Sequence, residues 1–80
     1  MSLNLSELDV GATGIVRAFA EGSRAAMRLR EMGVLPGTEV RIVRLAPLGD
    51  PIEIEVRGFR LSLRKTEAAE ILIESDDSTD

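Results

Sequence analysis

The sequence of 80 residues contains no cysteine, histidine, tyrosine or tryptophan. Without cysteine the chain forms no disulfide, and without histidine it lacks the commonest transition-metal ligand and the usual general base near neutral pH. No segment approaches the ~20 apolar residues of a membrane-spanning helix, and the N-terminus has neither the basic start nor the apolar run of a signal peptide. We therefore expect a small, soluble, cytoplasmic domain stabilised by apolar packing rather than by cross-links.

The charged residues are unevenly distributed along the chain. The formal net charge is −4, but residues 74–80 (ESDDSTD) hold four acids and no base, so residues 1–73 carry no net charge. Most of the basic residues in this neutral part are arginines. We predict a single domain over residues 1–74, followed by an acidic, disordered tail over residues 75–80.

A β-hairpin is the clearest structural pattern in the sequence. PIEIEV and FRLSLR both alternate apolar and polar residues, and Arg57-Gly58 between them suits a two-residue turn. This turn would set the apolar residues opposite each other in pairs: Ile52 with Leu63, Ile54 with Leu61, and Val56 with Phe59. It would also set Glu55 opposite Arg60, and shifting the register by one residue would break every pairing.

Three further strands and one helix complete the predicted fold. Strands are predicted at residues 14–20, 39–46 and 71–74, the second of them bulged or bent because its apolar residues change face midway. A short helical turn is predicted at residues 66–70, capped by Thr66. These segments, with the hairpin, predict a mainly β fold, a small five-stranded β-barrel with one inserted α-helix.

The inserted helix is predicted over about residues 23–32. Ser23 suits its N-cap and Gly33 its C-terminal end, while Ala25, Leu29 and Met32 form an apolar stripe at helical spacing. We interpret Met27 and Met32 as core residues rather than as metal ligands.

Enzymatic activity is not expected. Nothing in the sequence pairs a serine or threonine with an activating base, and there is no glycine-rich phosphate loop. No cofactor is expected either, and the carboxylates of Glu53 and Glu55 are only weak candidates for a divalent metal ion.

Nucleic-acid binding is also not expected. Arg57, Arg60 and Arg64 lie near one end of the hairpin, but the body of the chain is neutral and lacks tyrosine or tryptophan for stacking on bases. We interpret these arginines as partners of Glu53, Glu55 and their neighbours on a solvated face.

Three motifs, RLREMGVLPG, APLGDP and LSLRKTEA, occur in this order, and together they resemble the FeoA family, ferrous iron transport protein A. The resemblance covers residues 3–74. It implies an SH3-like barrel and a cytoplasmic accessory protein of bacterial ferrous iron uptake that binds the permease FeoB, through its cytosolic GTPase portion. Two alternatives stay open: a stand-alone relative of the SH3-like C-terminal domain of metal-dependent transcriptional repressors, or a nucleic-acid-binding small barrel. Whether the chain forms a homo-oligomer also stays open.

The APLGDP segment is the first candidate for the partner contact, and it includes Pro47, Leu48, Gly49, Asp50 and Pro51. In one interpretation the prolines preorganise the loop, Leu48 is an apolar anchor and Asp50 adds a polar contact at the rim. In the other, Leu48 folds back and caps the open end of the barrel. A secondary partner surface is predicted at five arginines: Arg24, Arg28, Arg57, Arg60 and Arg64.

Overall fold

The computed structural model describes residues 3–75, and the acidic tail predicted at residues 75–80 lies outside this range except for the backbone of Ser75. Within the range the chain forms six strands: β1 (Leu3–Asn4), β2 (Thr13–Phe19), β3 (Glu39–Leu45), β4 (Ile52–Val56), β5 (Phe59–Leu63) and β6 (Ile71–Ser75). It also forms two α-helices, α1 (Arg24–Glu31) and α2 (Lys65–Ala68), and a 3-10 helix at Leu5–Glu7. No helix within residues 3–75 is long and apolar enough to cross a membrane.

The strands form one antiparallel sheet in the order β1-β6-β2-β3-β4-β5. The predicted mainly β class with one inserted helix is therefore confirmed. The structure adds one strand to the predicted five, β1, which pairs with β6 over two residues. Two residues are too few to show the alternation of apolar and polar side chains from which strands are recognised in a sequence.

The predicted β4–β5 hairpin is confirmed in every pair. Val56 lies opposite Phe59, and the remaining pairs follow in the predicted register. Arg57 and Gly58 both adopt positive φ angles, +52° and +86°, as a two-residue turn with the twist of the adjoining strands requires.

The predicted pairing of the hairpin's glutamates with arginines is wrong at the level of side chains. Glu55 lies opposite Arg60 in the register, but the ion pairs formed within residues 3–75 are Arg17–Glu74 and Arg28–Glu67. Exposed ion pairs are worth only about 0–1 kcal/mol, because holding two long side chains together costs conformational entropy, so cross-strand position alone does not enforce contact.

The predicted irregularity in the second strand is a β-bulge. The register of β3 against β4 shifts between Ile42 and Arg44, which makes Val43 the extra residue. Beyond the bulge Arg44 pairs with Glu53 and Leu45 pairs with Ile52. The bulge therefore returns Leu45 to the side of the buried Ile52, at the rim of the barrel, where Leu45 is 37% exposed.

Helix α1 begins and ends where its capping residues predict. Ser23 Oγ accepts a hydrogen bond from the Ala26 backbone N–H (3.1 Å), and Gly33 follows the helix with a φ of +89°. The interpretation of Met27 as a core residue is wrong, because its side chain is 64% exposed. The buried face runs through Ala25, Ala26 and Leu29, and Met27 lies a further 100° around the helix.

The second helix is confirmed, but it spans Lys65–Ala68 rather than the predicted residues 66–70. Its N-cap is Arg64 rather than Thr66, because the Glu67 side chain reaches back and accepts a hydrogen bond from the Arg64 backbone N–H (2.9 Å).

The sheet and the helices share one apolar core. Its buried residues are Leu5, Val16, Leu29, Val34, Val40, Ile42, Ile52, Ile54, Val56, Leu63, Ala68, Ile71 and Ile73.

Replacing Ser23 with alanine is expected to lower the free energy of unfolding by about 1–2 kcal/mol. Besides capping α1, the Ser23 hydroxyl donates a hydrogen bond to Glu70 Oε1 (2.7 Å), and the residue is only 8% exposed. Thermal unfolding followed by circular dichroism would measure the change. The exposed Ser62 on β5 provides the control, since Ser62→Ala should change stability by less than ~0.5 kcal/mol.

Candidate partner-binding loop and adjoining cleft

The β3–β4 loop (residues 46–51) carries the most exposed large apolar side chain among those that the structure describes. Leu48 is 94% exposed. The interpretation in which Leu48 folds back and caps the barrel is therefore wrong, and the side chain projects into solvent. A single exposed leucine is not unusual by itself. What makes the loop a candidate contact surface is that its backbone conformation is fixed by hydrogen bonds.

Backbone hydrogen bonds fix the conformation of the β3–β4 loop. Gly49 N–H donates to the Ala46 carbonyl (2.7 Å) and closes a tight turn with Pro47 and Leu48 at its centre. Ala46 N–H donates to the Pro51 carbonyl (3.1 Å) and closes the base of the loop. Proline suits the second position of such a turn because its φ angle is already constrained. These bonds therefore fix the backbone that carries Leu48 before any partner binds.

The side chain of Asp50 ties the loop to helix α2. Its Oδ1 accepts a hydrogen bond from the Lys65 backbone N–H (2.9 Å), a contact between residues far apart in the chain. A carboxylate at this place satisfies an N–H group in the first turn of α2 that has no partner within the helix. The sequence offered no local signal for this contact, and the predicted role of Asp50 at the rim of a partner contact stays a prediction.

Replacing Asp50 with alanine is expected to lower the free energy of unfolding by about 0.5–1.5 kcal/mol and to loosen the loop, because the tether to α2 is lost. Backbone ¹⁵N relaxation should then report increased motion at Leu48 and Gly49. Asp50→Asn retains an acceptor oxygen and should behave much more like the wild-type chain. Equal loop dynamics in the alanine variant and the wild type would contradict this role of Asp50.

The five arginines predicted as a secondary surface do not lie together. Arg24, Arg28 and Arg64 line one cleft of about 590 Å³, which Pro51 at the end of the loop also lines. We call this the cationic cleft. Arg57 lies elsewhere, at the hairpin turn with its side chain over Gly33.

Arg60 and the two candidate metal-binding glutamates lie on the outer face of the sheet. In the strand register Glu53 lies between Arg44 and Ser62, and Glu55 lies between Arg41 and Arg60. Over residues 3–75 the structure contains no group of three or more acidic, histidine or cysteine side chains that could hold a metal ion.

The antiparallel six-stranded sheet, with its helix inserted between β2 and β3, defines a small barrel domain of the SH3-like class. The FeoA domain family model matches residues 3–75, and the chain belongs to the FeoA family. The family resemblance inferred from the three motifs is thereby confirmed. The family acts in ferrous iron transport.

Three relatives illustrate this membership. A fusion protein of Fe(2+) transport protein A and Fe(2+) transporter FeoB from Porphyromonas gingivalis is 32% identical over 72 residues, which cover 90% of this chain but only 8% of that protein. The FeoA-like protein of Clostridium acetobutylicum has a structure that matches with a TM-score of 0.87 and 35% identity, over 99% of this chain and 92% of that one. The FeoA of Stenotrophomonas maltophilia, solved with zinc and described as an SH3 domain protein, matches with a TM-score of 0.78 and 33% identity, over 90% of this chain and 89% of that one.

The same fold occurs in a manganese-dependent transcriptional repressor. The match has a TM-score of 0.80 and covers 92% of this chain and 41% of the repressor, but only 16% of the aligned residues are identical. At that identity the similarity concerns the fold alone.

Proposed function

We propose that this chain is a cytoplasmic accessory protein of bacterial ferrous iron uptake, without enzymatic activity of its own, which binds the cytosolic GTPase portion of the FeoB permease. The β3–β4 loop makes the contact, with Leu48 as its apolar anchor. The observation that carries the proposal is the 94% exposure of Leu48 on a loop closed by its own hydrogen bonds.

The energetics of the loop suit a binding anchor. Burying a leucine side chain that is otherwise exposed is worth about 1.5–3 kcal/mol. Binding also normally costs the entropy of ordering loops at the interface. The turn closed by Gly49 and the tether from Asp50 to Lys65 order the loop in the free protein, so less of that cost falls on binding.

The fusion protein of Porphyromonas gingivalis supports the choice of partner. There, a region related to this chain belongs to the same polypeptide as FeoB. A covalent link keeps two domains at high effective concentration, and separate chains need a binding surface to achieve the same proximity. The loop supplies a surface of that kind.

The side-chain chemistry of the chain supports binding rather than catalysis. The chain has no cysteine or histidine, the residues that most often serve as nucleophile and general base near neutral pH. A protein that acts by binding a partner requires neither a nucleophile nor a general base.

Calorimetric titration of the chain with the purified GTPase portion of FeoB from the same organism tests the proposal. We expect saturable one-to-one binding with a dissociation constant of roughly micromolar order, the weak end of the range that protein interfaces cover. The titration should be repeated with GDP, with a non-hydrolysable GTP analogue and with full-length permease in nanodiscs. Absence of binding in all of these conditions would overturn the proposal.

A further inference from the structure

The cationic cleft lies directly beside the β3–β4 loop. Pro51 ends the loop and lines the cleft. The preceding residue, Asp50, accepts a hydrogen bond from the backbone N–H of Lys65, the first residue of α2. Helix α2 also follows Arg64, which lines the cleft from the other side. A protein that covers Leu48 would therefore extend readily over the cleft.

The acidic residues of the cleft already have partners within the fold. Glu67 Oε1 accepts hydrogen bonds from the Arg64 backbone N–H (2.9 Å) and from Arg28 Nη2 (3.4 Å). Glu70 Oε1 accepts one from the Ser23 hydroxyl (2.7 Å). These bonds hold the two carboxylates against α1 and α2.

Two of the three guanidinium groups in the cleft, by contrast, form no ion pair with another described residue. Within residues 3–75, Arg24 and Arg64 form no ion pair, whereas Arg28 pairs with Glu67. With three arginines and two glutamates among the lining residues, the cleft has a net positive charge. Among the described residues, the positive charge that no ion pair offsets lies at Arg24 and Arg64.

We propose that the cationic cleft receives aspartate or glutamate side chains of the protein that covers Leu48. This rests on the proposed function and specifies the chemistry of the partner's surface: an apolar pocket for Leu48 next to one or two carboxylates for Arg24 and Arg64. Arginine binds a carboxylate through two parallel N–H···O hydrogen bonds, which fixes orientation as well as adding energy. The carboxylates orient the partner, and Leu48 anchors it.

Acidic side chains fit this cleft better than nucleic acid does. A nucleic-acid strand presents a series of phosphates and needs a continuous positive track, usually with aromatic side chains for its bases. Here two glutamates interrupt the positive charge, and the cleft contains neither of the two phenylalanines. A single carboxylate needs only one free guanidinium group.

Charge-reversal variants test this proposal against matched controls. In titrations with the FeoB GTPase portion, Arg24→Glu and Arg64→Glu should each weaken binding about tenfold, a loss of ~1.4 kcal/mol, and the double variant about a hundredfold. Arg57→Glu and Arg60→Glu make the same change of charge outside the cleft and should stay within twofold of the wild type. Circular dichroism melts would establish that all four single variants fold.

A second arm tests the ligand chemistry without FeoB. NMR signals of the arginine side chains would be followed during titration with an eight-residue glutamate peptide and with an eight-nucleotide single-stranded DNA. We expect saturable shifts at Arg24 and Arg64 with the peptide, at lower concentrations than with the DNA. Tighter binding of the DNA, or no saturable shift with the peptide, would overturn the proposal.

The two arms separate the failure of this inference from the failure of the proposed function. If the permease binds the wild-type chain and the cleft variants equally well, the cleft assignment is wrong and the accessory role stands. If the peptide occupies the cleft but no form of the permease binds the wild-type chain, FeoB is the wrong partner and the preference of the cleft for carboxylates stands.

Discussion

Replacing Leu48 with aspartate is expected to weaken binding of the FeoB GTPase portion by about two orders of magnitude. The change removes an apolar contribution of about 1.5–3 kcal/mol and places a charge in the apolar pocket that received the leucine, which adds a desolvation cost. Because Leu48 is 94% exposed in the free protein, the free energy of unfolding should change by less than ~0.5 kcal/mol. Calorimetric titration and chemical denaturation measure the two quantities.

Leu35 offers a matched control for this substitution. It is also exposed, at 51%, and it also lies in a hydrogen-bonded turn, next to Pro36 and Gly37. That turn precedes β3, whereas the β3–β4 loop follows it, so the two leucines lie at opposite ends of a seven-residue strand. Leu35→Asp should bind the GTPase portion within twofold of the wild type. Equal losses in the two variants would indicate a nonspecific effect of the added charge.

Replacing Ile54 with alanine is expected to remove a large share of the free energy of unfolding of this domain. Ile54 is 1% exposed and lies in the central strand of the β3–β4–β5 region, opposite Ile42 on one side and Leu61 on the other. Truncating such a residue to alanine costs about 2–5 kcal/mol. For a domain of 80 residues the whole free energy of unfolding is only about 4–12 kcal/mol, so the loss is a large share of it.

Ile54→Val is the control for the truncation. It removes one methylene group and should cost only about 0.5–1.5 kcal/mol. Circular dichroism must follow the unfolding in urea, since the chain has no tryptophan or tyrosine to report by fluorescence. A loss of less than 1 kcal/mol in the alanine variant would contradict the assignment of Ile54 to the centre of the core.

The parts of the fold that the sequence predicted correctly are governed by residues close together in the chain. The β4–β5 register follows from alternation on both sides of Arg57-Gly58, and the ends of α1 follow from Ser23 and Gly33. In each case the deciding interactions lie within a few residues. The bulge in β3 was detectable for the same reason, as a change of apolar face within one segment.

The parts that were missed depend on contacts between distant segments. No local pattern could show that the Asp50 carboxylate accepts a hydrogen bond from Lys65 N–H. Nor could it show that Arg24 and Arg64 meet at one cleft while Arg60 lies on another face. Met27 was misassigned because methionine is apolar, although Met27 lies outside the stripe of Ala25, Leu29 and Met32 that helical spacing predicts, and the structure buries Ala25 and Leu29 of that stripe.

We propose the β3–β4 loop as the surface through which this protein meets FeoB. The most direct test is NMR titration of the isotope-labelled chain with the cytosolic GTPase portion, followed residue by residue. We expect the largest shifts at residues 46–51, with further shifts at Arg24, Arg28 and Arg64. Shifts concentrated instead at the opposite end of the barrel, around Leu35 and the hairpin turn at Arg57, would contradict it.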